Sequence, residues 1–156
     1  MNLFKRHKTL NLYAPVSGHL KPITDVADPV FSQRAVGDGF AVEPTTSDIY
    51  SPIEGTVTSI FPTKHALTLK AKSGQEVLLH MGLDTVELNG EGFTILVTPG
   101  EKIDQSTQLA TLDLASIKAH DKITDILTVI SDTDVKLPDI TAADVKQGDV
   151  IVSQPL

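Results

Sequence analysis

Strand-like apolar segments recur at short intervals along the whole chain, each bounded by a turn signal, and this pattern leaves little room for anything but an all-β fold. The segments are Thr9 to Tyr13, Gly39 to Val42, Gly55 to Phe61, Ala66 to Ala71, Glu76 to Met81, Phe93 to Val97, Gln108 to Asp113, Asp125 to Ser131 and Val150 to Ser153. Between them stand Pro15-Val-Ser-Gly18, Asp38-Gly39, Pro52-Ile-Glu-Gly55, Ser73-Gly74, Asn89-Gly90 and Pro99-Gly100, residues that favour tight turns. Helix is a minor ingredient. Only Leu114 to His120 has the apolar spacing of a short helix, with Asp113 placed to cap it.

Two internal echoes refine the picture. Tyr13-Ala-Pro-Val-Ser-Gly18 is matched by Tyr50-Ser-Pro-Ile-Glu-Gly55, and Thr98-Pro-Gly-Glu-Lys-Ile103 is paired with Lys146-Gln-Gly-Asp-Val150. The expected architecture is therefore an antiparallel β-sandwich or barrel of two similar halves packed face to face, with one or two short helices. Two distant copies are too few for a solenoid.

At 156 residues the chain is one domain's worth, and with 40% hydrophobic and 21% charged residues it lies in the globular range. We place that domain at residues 10–156, behind a flexible N-terminus of residues 1–9. The excess of 20 Asp and Glu over 13 Lys and Arg, a formal charge of −7, argues against a nucleic-acid surface and suits a partner with a basic docking face. The absence of cysteine excludes a disulfide framework, a thiolate zinc site and a nucleophilic thiol, and fits the cytosol. No run approaches the roughly 18 apolar residues of a membrane span, and no apolar core follows the basic opening, so the chain reads as soluble and intracellular. Lys5, Arg6 and Lys8, beside Leu3 and Phe4, read as a solvated terminus in preference to a membrane contact.

Of the histidines at 7, 19, 65, 80 and 120, only His65 and His80 stand in contexts suggesting chemistry. Strand alternation in Val77-Leu-Leu-His-Met81 puts Val77, Leu79 and Met81 on one face and Leu78 and His80 on the other. If the first face is core, His80 projects from an apolar rim, and Gly82 removes a side chain where a phosphate or a partner approaches. His65 opens the strand Ala66-Leu-Thr-Leu-Lys70, and hairpin pairing through Ser73-Gly74 brings it within reach of His80. Two imidazoles suit phosphoryl carriage: one neutral ring supplies a nitrogen nucleophile while the other donates to phosphoryl oxygens, and Thr63 is a candidate hydroxyl donor.

The segment His80-Met-Gly-Leu-Asp-Thr-Val-Glu-Leu-Asn-Gly-Glu-Gly-Phe93 closely resembles the phosphorylation-site signature of the glucose-type enzyme IIA family of the bacterial sugar phosphotransferase system. The resemblance extends to Tyr13-Ala-Pro-Val-Ser-Gly18, Gly37-Asp-Gly-Phe-Ala-Val42, Ser51-Pro-Ile-Glu-Gly-Thr-Val57 and Thr63-Lys-His-Ala66, and so spans nearly the whole chain. It implies a cytoplasmic phosphocarrier that takes phosphoryl from the small protein HPr on Nε2 of His80 and passes it to a cysteine of an enzyme IIB domain. It further implies that Nδ1 of His80 is held by a backbone carbonyl near Gly82, that His65 is the second imidazole with Thr63 on its side, and that Asp28 and Asp84 meet an arginine of the donor. An apolar docking patch would match Val30, Phe31, Ala35, Val36, Phe61, Leu78 and Val86, residues an ordinary core would also use. Met81 replaces a frequent Phe, and Leu67 and Leu78 replace common aromatics. No cofactor is required, the only zinc being an adventitious or partner-bridged ion at His65 and His80. The protein is expected to be a monomer that touches the membrane only through its permease, and its start and close are read as those of a free-standing component in preference to a piece of a IIBCA chain.

Other readings have weaker support. His80-Met-Gly-Leu-Asp84 has the spacing of half the zinc site of lysostaphin-like peptidases, but those enzymes need a later His-x-His, and only His120 follows. A lipoyl or biotinyl carrier would show a modifiable lysine at a hairpin tip beside Met or Asp, which is absent. A regulatory binding module of the same fold is the remaining alternative.

Overall fold

The computed structural model describes residues 8–132 and 134–156. These residues form thirteen strands: β1 (Thr9–Tyr13), β2 (Gly18–Pro22), β3 (Asp38–Pro44), β4 (Asp48–Tyr50), β5 (Gly55–Ile60), β6 (Ala66–Ala71), β7 (Glu76–Met81), β8 (Phe93–Ile95), β9 (Lys102–Ile103), β10 (Gln108–Leu112), β11 (Ile126–Ile130), β12 (Ala143–Val145) and β13 (Val150–Pro155). Two short helices, α1 (Pro29–Ser32) and α2 (Leu114–Ala119), and 3-10 turns at Ile23–Asp25 and Thr85–Leu88 complete it. The reading of residues 1–9 as a flexible terminus lies outside the described residues except at Lys8 and Thr9. Thr9 is paired with Pro155 in the β1–β13 ladder.

Eight strands form one antiparallel sheet in the order β12-β2-β3-β11-β7-β6-β5-β9, accompanied by a three-stranded sheet, β4-β10-β8, and by the β1–β13 pair. All three contribute to one large core. Leu10, Leu12, Phe40, Ile49, Leu67, Leu79, Met81, Leu109 and Val152 meet there, as the alternation of their strands dictates. A second, smaller cluster covers the opposite face of the big sheet, where Ala41, Leu127 and Val129 pack against Ile23, Val26, Phe31 and Leu83.

The echoed hexapeptides are where the two halves cross. The amide of Tyr13 donates to the carbonyl of Pro52 and that of Tyr50 to the carbonyl of Pro15, each at 2.8 Å. The glycines closing the two motifs are equivalent as well: a Cβ on Gly18 would stand 1.9 Å from the Glu43 carbonyl oxygen, and one on Gly55 would stand 1.9 Å from that of Lys70. The second echo is corrected by the contacts. Ala14 N donates to Asp149 O as Ser51 N does to Thr107 O, so the counterpart of the Lys146–Asp149 turn is Asp104–Thr107 and not Thr98–Glu101. Gln147 Nε2 reaches the Gln105 carbonyl at 2.8 Å, joining these two turns.

Helix α2 begins where the sequence placed it, with the Asp113 carboxylate accepting from Ser116 N at 3.0 Å. Helix α1 was not foreseen; Asp28 caps it by accepting from Val30 N at 2.9 Å, and Pro29 fills its first position.

Candidate active site

Strand β7 carries His80. Val77, Leu79 and Met81 are buried in the main core, which turns Leu78 and His80 onto the face covered by the smaller cluster. His65 sits just before β6. The 66–71 and 76–81 strands pair in the expected hairpin with Ala66 opposite His80, and Met81 N donates to His65 O at 2.8 Å. The two imidazoles end with ring centroids 5.0 Å apart, edge to face.

A row of rings results. Phe31 lies against His80 at 4.9 Å between centroids, His80 against His65, and His65 against Phe61 at 5.4 Å. Thr63 Oγ1 lies 2.7 Å from Nδ1 of His65, held by the tight turn in which Lys64 N donates to Phe61 O. Nδ1 of His80 lies 2.7 Å from the Gly82 carbonyl oxygen. A carbonyl can only accept, so Nδ1 bears the hydrogen, and in the neutral ring Nε2 is the bare lone pair.

Gly82 is shaped for this task. Its φ of +83° is the left-handed region that disfavours a side chain, its amide donates to Asp125 O at 2.7 Å, and Thr85 Oγ1 anchors the next turn on Met81 O at 2.7 Å.

Both rings are held neutral. Burial, His65 being only 4% exposed, and then the neighbouring His80 lower the His65 pKa from 6.5 to about 4. Burial also lowers that of His80, opposed by the Gly82 hydrogen bond and by the carboxylates of Asp28 and Asp84. The last two are thus within electrostatic reach of the ring.

The apolar positions divide. Val30 is 52% exposed, Phe61 37% and Val86 49%, and Ala35 is exposed too, so these can meet a partner. Phe31 is buried in the small core and lies against the His80 ring, the ordinary-core alternative to its expected place in the docking patch. Val36 and Leu78 are half-buried against the same cluster. Sequence reasoning missed Ile123, which is exposed and whose carbonyl accepts from Leu83 N beside Gly82. It also missed the buried ion pair of Lys21 with Asp125. Neither carried a local signal, since both reach the site only through strand order. Among the described residues, no three His, Cys, Asp or Glu side chains are grouped to hold a metal ion.

Residues 10–135 match the family described as phosphoenolpyruvate-dependent sugar phosphotransferase system, EIIA 1. The chain is similar to the PTS system glucose-specific EIIA component of Staphylococcus aureus, 43% identical over 127 residues that cover 81% of this chain and 76% of that protein. The component of the same name in Staphylococcus epidermidis is 47% identical over 115 residues, 74% of this chain and 69% of that one. Among solved structures, the glucose permease IIA from Mycoplasma capricolum superposes with a TM-score of 0.84 at 39% identity, covering 94% of this chain and 96% of that one.

Proposed function

Because the chain belongs to the EIIA 1 family of the phosphoenolpyruvate-dependent sugar phosphotransferase system, and is thereby a phosphocarrier component of that system, we propose that Nε2 of His80 is the atom that carries the phosphoryl group. The observation that supports this reading is the 2.7 Å contact of His80 Nδ1 with Gly82 O, which leaves Nε2 unprotonated in a ring that burial keeps neutral.

His80 Nε2 attacks the phosphorus of the donor phosphohistidine of HPr. The donor's P–N bond breaks as the new P–N bond forms, and the electron pair returns to the donor imidazole. The same exchange in reverse order passes the group to the thiolate of an enzyme IIB cysteine, with His80 recovering its lone pair. His65 is the stabilising group: when Thr63 donates to its Nδ1, the single hydrogen of the neutral ring lies on Nε2, available to a phosphoryl oxygen. Asp28 and Asp84 offer carboxylates to cationic residues of the donor, and Val30, Phe61 and Val86 supply the apolar contact around them.

Glucose is the sugar we propose for this chain, because it is the one that the relatives carry in their names. A cytoplasmic monomer that meets HPr and the permease in turn fits this exchange. The two imidazoles give a zinc ion at most two ligands, so a metal here would be bridged by a partner's residues. The test is His80→Ala, which abolishes acceptance of phosphoryl from phospho-HPr; phosphorylation at another residue of that variant would refute the assignment.

A further inference from the structure

A chain of three contacts leads from strand β2, three places from β7 in the sheet, to the reactive ring. Lys21 Nζ lies 2.7 Å from Asp125 Oδ2, Asp125 O accepts from Gly82 N at 2.7 Å, and Gly82 O accepts from His80 Nδ1 at 2.7 Å. Lys21, Ala41, Leu127 and His80 are directly paired across β2, β3, β11 and β7, so all four side chains leave the sheet on one face. Asp125 precedes Leu127 by two residues and is only 2% exposed, while the Lys21 side chain is 21% exposed.

We propose that the Lys21–Asp125 ion pair is a positioning device for the phosphoryl-accepting histidine, fixing the Asp125 carbonyl that fixes Gly82 and, through it, the tautomer and orientation of His80. The proposal rests on the reading of His80 as the phosphoryl acceptor.

Three features carry it. First, Gly82 stands in the left-handed region between two hydrogen bonds, so the direction of its carbonyl follows from where its amide is held. Second, Asp125 lies before the first paired residue of β11, Ile126, and so lacks the ladder that steadies the strand itself; what fixes its side chain is Lys21 on β2. The ammonium lies off the hydrogen-bonding directions of Oδ2, which has no aligned donor among the described residues, so the carboxylate is held there by charge. Third, strands β2 and β11 are separated by β3 in the sheet, so the pair ties the β7–β11 end that bears His80 to a strand two places away. A group that orients a reactive imidazole through one intervening residue changes the rate without touching the reacting atoms.

The pair is removed in two ways. Lys21→Gln leaves a neutral donor for the buried carboxylate, and the double substitution Lys21→Met with Asp125→Leu replaces both charges by apolar side chains of similar size, so that neither ion is left alone. Lys21→Arg is the conservative control. The readouts are the 15N shifts of the His80 ring, which report the tautomer, and the rate of phosphoryl acceptance from phospho-HPr at saturating donor.

Wild type and Lys21→Arg should show a single Nδ1–H tautomer. Lys21→Gln and the double variant should show a visible Nε2–H population and acceptance slowed by about tenfold, with unchanged apparent affinity for the donor. Unchanged ring shifts and rate in either variant, once its amide spectrum shows the fold intact, overturn the proposal. If wild type accepts no phosphoryl on His80 while the ring shifts respond to Lys21, the carrier reading falls and the positioning stands. If wild type is phosphorylated on His80 and nothing responds, the reverse holds.

Discussion

The carbonyl oxygen of Gly82 lies 2.7 Å from Nδ1 of His80, so a residue two places along the chain sets which nitrogen of the ring is free to react. An added methyl tests this directly. In Gly82→Ala a Cβ would meet Thr85 Cγ2 at 2.4 Å and Ile123 O at 3.0 Å, at a φ of +83° that alanine resists. Urea melts should show a loss of roughly 2 kcal/mol, and phosphoryl acceptance should fall by more than about tenfold as the carbonyl turns away. A stable variant with wild-type acceptance would show that the contact does not direct the ring.

Acid should act on His65. Its pKa is about 4 in the fold and near 6.5 unfolded, so between those values the unfolded chain binds a proton that the folded chain does not. Stability is therefore fully present above pH 6.5 and declines as pH falls toward 4, by roughly 3 kcal/mol for the whole shift. His80, also lowered, adds in the same direction. Denaturant melts across this window should give His65→Gln a shallower pH slope than wild type; parallel slopes would mean that His65 titrates normally.

Asp28 and Asp84 separate charge from structure. Asp28 caps α1 through Val30 N, and Asp84 occupies the left-handed region at a φ of +56°; asparagine can do both without charge. The double variant Asp28→Asn with Asp84→Asn should keep its melting temperature, accept phosphoryl several-fold more slowly at low salt, and lose much of the salt dependence of that rate. An unaltered salt dependence would place the donor's cations elsewhere.

Thr128 points between Ile126 and Ile130 into the main core, and its hydroxyl is buried with no hydrogen-bond partner among the described residues. Thr128→Val keeps the shape and removes an unpaired polar group, so it should raise stability by about 1 kcal/mol with an unchanged denaturant slope. A loss of stability would reveal a partner for the hydroxyl.

What could be read from the sequence follows the range of the interactions. Strands β6 and β7 carry clean alternation on either side of Ser73-Gly74, and Ala66–Ala71 and Glu76–Met81 fell where expected. The pairing of His65 with His80 came with that hairpin, and Thr63 came with the turn before it. Strand β2 ends in Lys21 and Pro22, β9 has two residues and β12 lies largely exposed, so none of them shows the pattern that marks a strand. Phe31 stood in the expected patch, but its place under His80 depends on the loop before β3 folding over the sheet. The Lys21–Asp125 pair depends on a strand order that no local pattern encodes.

The central claim concerns one nitrogen. After incubation of the 15N-labelled protein with enzyme I, HPr and phosphoenolpyruvate, NMR of the histidine rings locates the phosphorus. The account predicts a single acid-labile phosphoryl group on Nε2 of His80, with Nδ1 still protonated against Gly82. Phosphorus on Nδ1, on His65 or on neither histidine would contradict it.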